Sequence, residues 1–231
     1  METVLITGAN RGIGLELTRQ YLKKPTRVIA TCRAPELATA LSELKQPHAN
    51  TLQVTALEVT DDSSIKALVE KLKDQPIDVL INNAGVSGGK HQDIHDVDYA
   101  WWAHTLAVNT IAPFRVTVAL LQNLRRSPNP RVITLSSQLG SMLRPTSSGY
   151  YIYRSSKAAV NKVMQGLAVD LRPDNIIVCP VHPGWVQTEM GGVNADLTVD
   201  QSASGLIQLI DRLTPSDSGR FFKWNGEAHP W

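Results

Sequence analysis

Val4-Leu5-Ile6-Thr7-Gly8-Ala9-Asn10-Arg11-Gly12-Ile13-Gly14 decides the fold of this chain. An apolar, β-branched run ends in a glycine-spaced turn, and the turn opens a helical pattern over Gly12–Lys23. In that context Gly8 permits a tight turn, Gly12 lets backbone N–H groups approach a pyrophosphate, and Gly14 permits close helix packing. Asn10, Arg11 and Ile13 lie between them, at the positive end of the helix, where phosphates bind. The stretch therefore predicts a dinucleotide site at the start of an α/β sheet.

The same alternation continues along the chain. Strands are expected at Arg27–Cys32, Leu52–Val59, Val79–Asn82, Arg131–Ser136 and Ile176–His182, with a short last one at Arg220–Lys223. Helices are expected at Glu36–Leu44, after Asp61-Asp62-Ser63, over Asp98–Arg126, over Tyr153–Arg172 and over Gln201–Arg212. An irregularity is expected near Asn109 and Pro113, because an interior proline removes a helix hydrogen bond. Strands joined by helices pair in parallel with right-handed crossovers. The expected fold is a single α/β domain over residues 1–231, a Rossmann-type doubly wound parallel sheet of about seven strands.

Bulk properties narrow the function. The chain has 231 residues, 42% hydrophobic and 19% charged, with a net charge of +2. It shows no basic tail or aromatic–basic alternation, so nucleic acid is not an expected partner. No apolar run reaches the roughly 20 residues that cross a bilayer, and Met1-Glu2-Thr3 leaves no room for a signal peptide before the strand. Cys32 and Cys179 fall in strand-like segments and read as buried free thiols, as in a reducing cytoplasm. The polar stretch with His91, Asp93, His95 and Asp96 reads as a solvated loop and not as a metal site.

The second strand addresses the choice of nucleotide. A ribose 2′-hydroxyl is usually held by an acid at its end, but here it ends Ala30-Thr31-Cys32-Arg33, with no acid before Glu36. Arg33 and Arg11 can instead clamp a 2′-phosphate, which favours NADPH/NADP+ over NADH. Downstream, Tyr153 and Lys157 stand four apart on one helix face. A neighbouring ammonium favours phenolate, so the pair predicts a tyrosine whose pKa falls below its usual value of about 10.

Taken in order, the glycine loop, Asn82-Asn83-Ala84-Gly85, Asn109, Ser136-Ser137, Tyr153/Lys157 and Pro183-Gly184 resemble the short-chain dehydrogenase/reductase superfamily over essentially the whole chain. Tyr150-Tyr151-Ile152-Tyr153-Arg154, His182-Pro183-Gly184-Trp185-Val186 and Trp231 look similar to its branch of sniffer-type carbonyl reductases and C-factor-like proteins. The resemblance implies a tetrad of Asn109, Ser137, Tyr153 and Lys157. Tyr153 would protonate the substrate oxygen and Ser137 would orient it. Lys157 would lower the tyrosine pKa and bind the nicotinamide ribose, and Asn109 would hold a water.

The same resemblance gives Asn82, Ala84 and Gly85 a supporting role near the adenine ribose, with Asn82 the expected contact. Glu58 and Val59 stand where the family has Asp-Val, and Glu58 is expected to reach the adenine amino group. Pro183, Gly184, Val186 and Thr188 are expected at the nicotinamide, Val186 and Thr188 near its carboxamide. A substrate loop is expected at about 185–200, with Trp185, Met190, Leu139, Met142 and Tyr150 as pocket candidates. Ser137 and Tyr153 are sixteen positions apart, longer than the common spacing, with the extra residues around 143–147. Trp101-Trp102 is either core or interface, and the resemblance implies a homodimer or homotetramer.

The expected activity is NADPH-dependent reduction of an aldehyde or ketone, reversible, on a small-molecule carbonyl/alcohol substrate and without metal. The rival is a C-factor-like signalling protein that senses redox state through its nucleotide site. A sugar-nucleotide epimerase fits less well, because those resemble longer chains with a large carboxy-terminal domain.

Overall fold

The computed structural model describes residues 1–143 and 148–231. The chain folds as one seven-stranded parallel sheet flanked by helices. Its strands are β1 (Glu2–Ile6), β2 (Thr26–Cys32), β3 (Leu52–Ala56), β4 (Val79–Asn82), β7 (Arg131–Leu135), β8 (Ile177–His182) and β9 (Phe222–Lys223). They lie in the order β3-β2-β1-β4-β7-β8-β9. The chain winds outward from β1 in one direction and from β4 in the other, so the crevice beside their carboxyl ends is the topological switch point.

Alternation along the central strands builds two cores, one per sheet face. Val4 and Ile6 join Val28, Ala30, Val79 and Ile81 on one face, under α1 (Gly12–Tyr21) and α8 (Val199–Arg212). Leu5, Ile29, Leu80, Val132 and Val178 face the other way, under α3 (Asp62–Leu72), α5 (Ala112–Ala119) and α7 (Tyr151–Asp170). Cys32 and Cys179 are buried free thiols in the first core.

Local signals end the elements where sequence chemistry expects. Asp61 caps α3 by accepting from the N–H of Ser63. Thr198 and Gln201 cap α8 reciprocally. The long helical stretch after Asp98 is interrupted: α4 (Tyr99–Leu106) passes through a π-helical turn, Ala107–Ile111, into α5, and α6 (Leu121–Arg125) follows. Pro113 has no N–H to give the carbonyl four residues back, that of Asn109. The stretch after Gly89 is a small antiparallel hairpin, β5 (Gln92–Asp93) with β6 (Asp96–Val97), where the sequence predicts only a loop. A single short helix predicted at 36–44 is a 3-10 turn, Pro35–Leu37, followed by α2 (Thr39–Lys45). Among the described residues no helix is long and apolar enough to cross a membrane, and no His/Cys/Asp/Glu group is placed to hold a metal. Of the predicted extra segment before Tyr153, residues 144–147 lie outside the described residues.

Candidate active site

The glycine loop sits at the switch point, between the end of β1 and α1. Arg11 precedes α1 without capping it by its side chain, and the first turn holds no acid. The leading N–H groups of α1 therefore lack side-chain partners and suit an anion. Gly8 and Gly12 have φ of 64° and 54°, in the left-handed region that favours glycine. A Cβ on Gly14 would lie 2.5 Å from both Asn83 Nδ2 and the Gly8 carbonyl oxygen. What crowds Gly14 is thus the Asn83 amide and the loop itself.

Asn83 holds this cradle. Its Nδ2 donates to the carbonyls of Thr7 at 2.8 Å and Gly8 at 2.9 Å. The Thr7 hydroxyl in turn accepts from the N–H groups of Asn83 and Ala84. Asn82, the residue expected to touch cofactor, turns its side chain inward to Thr117 and Thr134 and is buried. Below the loop runs a narrow crevice lined by Thr7, Val59, Asn82, Ala84, Val108 and Pro113. Glu58, next to Val59 in the chain, has one carboxylate oxygen accepting from the Thr60 N–H and hydroxyl. Asn10, Arg11 and Arg33 are exposed, and Ile13 is half-buried. Arg11 forms an ion pair with Glu189 of the substrate loop.

The tetrad converges beside the cradle. Ser137 caps the 3-10 turn Gln138–Gly140, accepting from the Leu139 N–H, and its hydroxyl is hydrogen-bonded to that of Tyr153. Ser136 points away, to Asn161 Oδ1 at 2.6 Å. Ser136 and Ser137 prolong the extended backbone past β7, where adjacent side chains face opposite ways, so only one of the two serines meets Tyr153. Lys157 Nζ lies 5.6 Å from the Tyr153 ring centroid and donates to the Leu135 carbonyl at 2.8 Å. Asn109 sits in the π-helical turn, clamped to Val86 by two hydrogen bonds of 2.9 Å, and donates to Ser156 Oγ at 3.0 Å. Gly85 passes so close that a Cβ there would stand 3.2 Å from Asn109 Oδ1 and 3.8 Å from Lys157 Nζ.

The electrostatics correct one expectation. Burial pushes the Tyr153 phenol up to about 12, opposed in part by the Ser137 hydrogen bond. Burial also pushes the Lys157 ammonium down to about 8. The ammonium lies against the ring and spends a proton on Leu135, so desolvation outweighs its attraction for phenolate.

On the far side, Pro183 and Gly184 follow β8, with the Pro183 carbonyl accepting from Ser202 and Gly184 at φ 90°. Val186 is buried and bridges to Leu197, which closes the substrate loop at its base. Thr188 Oγ1 accepts from the Gly191 N–H at 3.0 Å, and Trp185 Nε1 donates to the Gly191 carbonyl at 2.8 Å. Thr188 also abuts the glycine loop, its Cγ2 3.4 Å from where a Gly12 Cβ would be. The loop and the cradle thus meet across the crevice.

Two residues of the site escape sequence reasoning. Gln92, buried in the hairpin, accepts from the Tyr153 N–H at 3.1 Å through Oε1 and so caps α7. Ser156 receives Asn109 and donates to the Tyr153 carbonyl at 2.7 Å. An Asn–Ser pair across two helices leaves no spacing signal, and Gln92 stands sixty-one positions before the residue whose N–H it accepts.

Known proteins share this geometry. The family model described as short chain dehydrogenase matches residues 2–197. The carbonyl reductase Sniffer of D. melanogaster superposes with a TM-score of 0.93 at 33% identity, covering all of both chains. An NADPH-bound carbonyl reductase from chicken fatty liver gives 0.93 at 34%, covering 100% of this chain and 99% of that one. The C-signal of Myxococcus xanthus is 47% identical over 156 residues, which are 68% of this chain and 93% of that protein. The chain belongs to the short-chain dehydrogenase/reductase family, and its likeness there runs to sniffer-type carbonyl reductases and to C-signal.

Proposed function

We propose that this protein is an NADPH-dependent carbonyl reductase, reversibly an alcohol dehydrogenase, acting on an aldehyde or ketone. The observation that carries the reading is the meeting of Ser137, Tyr153, Lys157 and Asn109 beside an uncapped helix N-terminus. A nicotinamide cofactor bound there supplies or removes the hydride. Tyr153, its phenol held near 12, is protonated at neutral pH and placed to give its proton to a carbonyl oxygen. Ser137, hydrogen-bonded to that phenol, offers a second donor to the same oxygen. Lys157, near 8, is mostly an ammonium at pH 7 and replenishes the proton. The Asn109 carbonyl, which gets no N–H from Pro113, would hold a water leading outward from Lys157.

Gly8, Asn10, Gly12, Ile13 and Gly14 are assigned to the phosphates, and Arg11 with Arg33 to the 2′-phosphate. Val59, Ala84 and Gly85 would line the adenine side, with Glu58 and the Asn82 main chain beside them. Pro183, Gly184, Val186 and Thr188 would face the nicotinamide. Ile111 at the end of the π-helical turn, Phe114 and Val118 on α5 and Val169 on α7 leave apolar side chains exposed, which supports a homodimer or homotetramer.

The test is NADPH oxidation by purified protein against aliphatic, aromatic and dicarbonyl compounds, with NADH in parallel. Turnover that prefers NADPH supports the reading. Tight NADPH binding without turnover on any carbonyl favours a second reading, a nucleotide-sensing signalling protein, for which the identity to C-signal speaks.

A further inference from the structure

The tail after α8 plays no part in the chemistry above, yet it touches both flanks of the site. It turns back on itself, Phe222 bridging Ala228 and the Lys223 N–H donating to the Glu227 carbonyl at 2.8 Å. Phe221 is fully buried, and the rings of His229 and Trp231 stand 4.6 Å and 5.7 Å from it. The Trp231 main-chain oxygen then accepts two hydrogen bonds, from Ser141 Oγ at 2.9 Å and from the Leu143 N–H at 3.0 Å. These two residues continue the turn that Ser137 caps. Within that turn Gly140 lies so close to α7 that a Cβ would stand 2.6 Å from the Lys157 carbonyl carbon. On the other flank the Trp224 N–H donates to the His182 carbonyl at 2.7 Å, and the Trp224 ring occupies the space beside Gly184 and Gly205.

We propose that Trp231 is a positioning residue for substrate: its ring, seated on Phe221, fixes the main-chain oxygen that holds the rim Ser141–Leu143 in place. The proposal rests on the reductase reading and deepens it. Met142 and Leu143 on that rim, a few residues past Ser137 in the chain, are 82% and 71% exposed, two apolar side chains kept in water. A rim fixed in advance offers them as a ready apolar edge, so the favoured substrates are carbonyl compounds bearing an apolar group. An unanchored rim must be ordered at each binding event, which weakens binding. Ser137 and Tyr153 keep their own supports, the Leu139 N–H and Gln92, so the chemical step is spared.

The experiment compares wild type, Trp231→Ala, Trp231→Phe and Ser141→Ala. In Trp231→Ala the Leu143 amide should exchange with solvent at least about tenfold faster, as a local opening would. KM for a carbonyl compound with a large apolar group should rise about fivefold, the worth of roughly one hydrogen bond, with kcat and NADPH affinity unchanged. Trp231→Phe should restore both. Unchanged exchange at Leu143, or KM and NADPH affinity failing together, overturns the proposal. If Trp231→Ala does not fold, Ser141→Ala removes one rim donor and leaves the tail core intact, and the same readouts decide. If no carbonyl compound is turned over, the reductase reading fails, while exchange at Leu143 still reports on the strut.

Discussion

Gln92→Ala is predicted to damage the catalytic helix from a hairpin sixty-one positions earlier in the chain. Tyr150, ahead of α7, has a left-handed backbone (φ 54°) and offers no side-chain cap. Tyr153 is the third residue of that helix, and its N–H is one of the four that a helix start leaves unpaired. Gln92 takes it, doing from a distance what a Ser or Asp does locally. Its Nε2 also donates to the carbonyls of Ser87 at 3.0 Å and Gly89 at 2.7 Å. Truncation removes all three bonds at a residue only 6% exposed. At about 1 kcal/mol per bond the loss is roughly 2–4 kcal/mol. For a chain of this size that lowers Tm by about 4–16 °C. Thermal melts of both proteins, with kcat measured on a carbonyl substrate, check it. Because the loosened turn carries the phenol, kcat should fall more than NADPH affinity. A Tm within a degree of wild type, or an unaltered kcat, would refute the reasoning.

The remaining predictions concern charge and the cradle. Lys157 is held near 8, so carbonyl reduction should be level around neutral pH and decline as pH rises past 8, which a kcat/KM profile will reveal. Cys179 is raised to about 12 from its usual 9, so the unfolded chain ionises first and stability falls as pH climbs above 9. That term amounts to about 1.4 kcal/mol between pH 8 and pH 10, and Cys179→Ala should flatten the slope in denaturant melts. Asn83→Ala frees the carbonyls of Thr7 and Gly8 and should weaken NADPH binding by about tenfold, measured by fluorescence titration. Glu189→Gln releases Arg11 for a phosphate and should tighten NADPH binding, most visibly at low salt where the ion pair is least screened.

How much could be read from the chain depended on how local the signal was. The turn after Ile6 and the Tyr153/Lys157 spacing are written in adjacent residues, and the parallel sheet follows from them and from the alternation of Val4, Leu5 and Ile6. The kink at Asn109 was also legible, since Pro113 marks it four residues on. In Asn82-Asn83, by contrast, both residues have the same chemistry. Only the packing of β4 against β7 turns Asn82 inward and leaves Asn83 for the glycine loop. Gln92 meets Tyr153 only after the sheet forms, so no window of sequence holds both. The Tyr153 pKa was misjudged because spacing brings an ammonium near, while the desolvation that outweighs it is a property of the folded site.

The central claim, that Tyr153 gives the proton, is met most directly by Tyr153→Phe. NADPH affinity and carbonyl turnover would be measured on the same preparation. The account predicts affinity close to wild type and turnover lower by about 10²–10⁴, the usual contribution of a placed general acid. Turnover that survives the loss of the hydroxyl would contradict it.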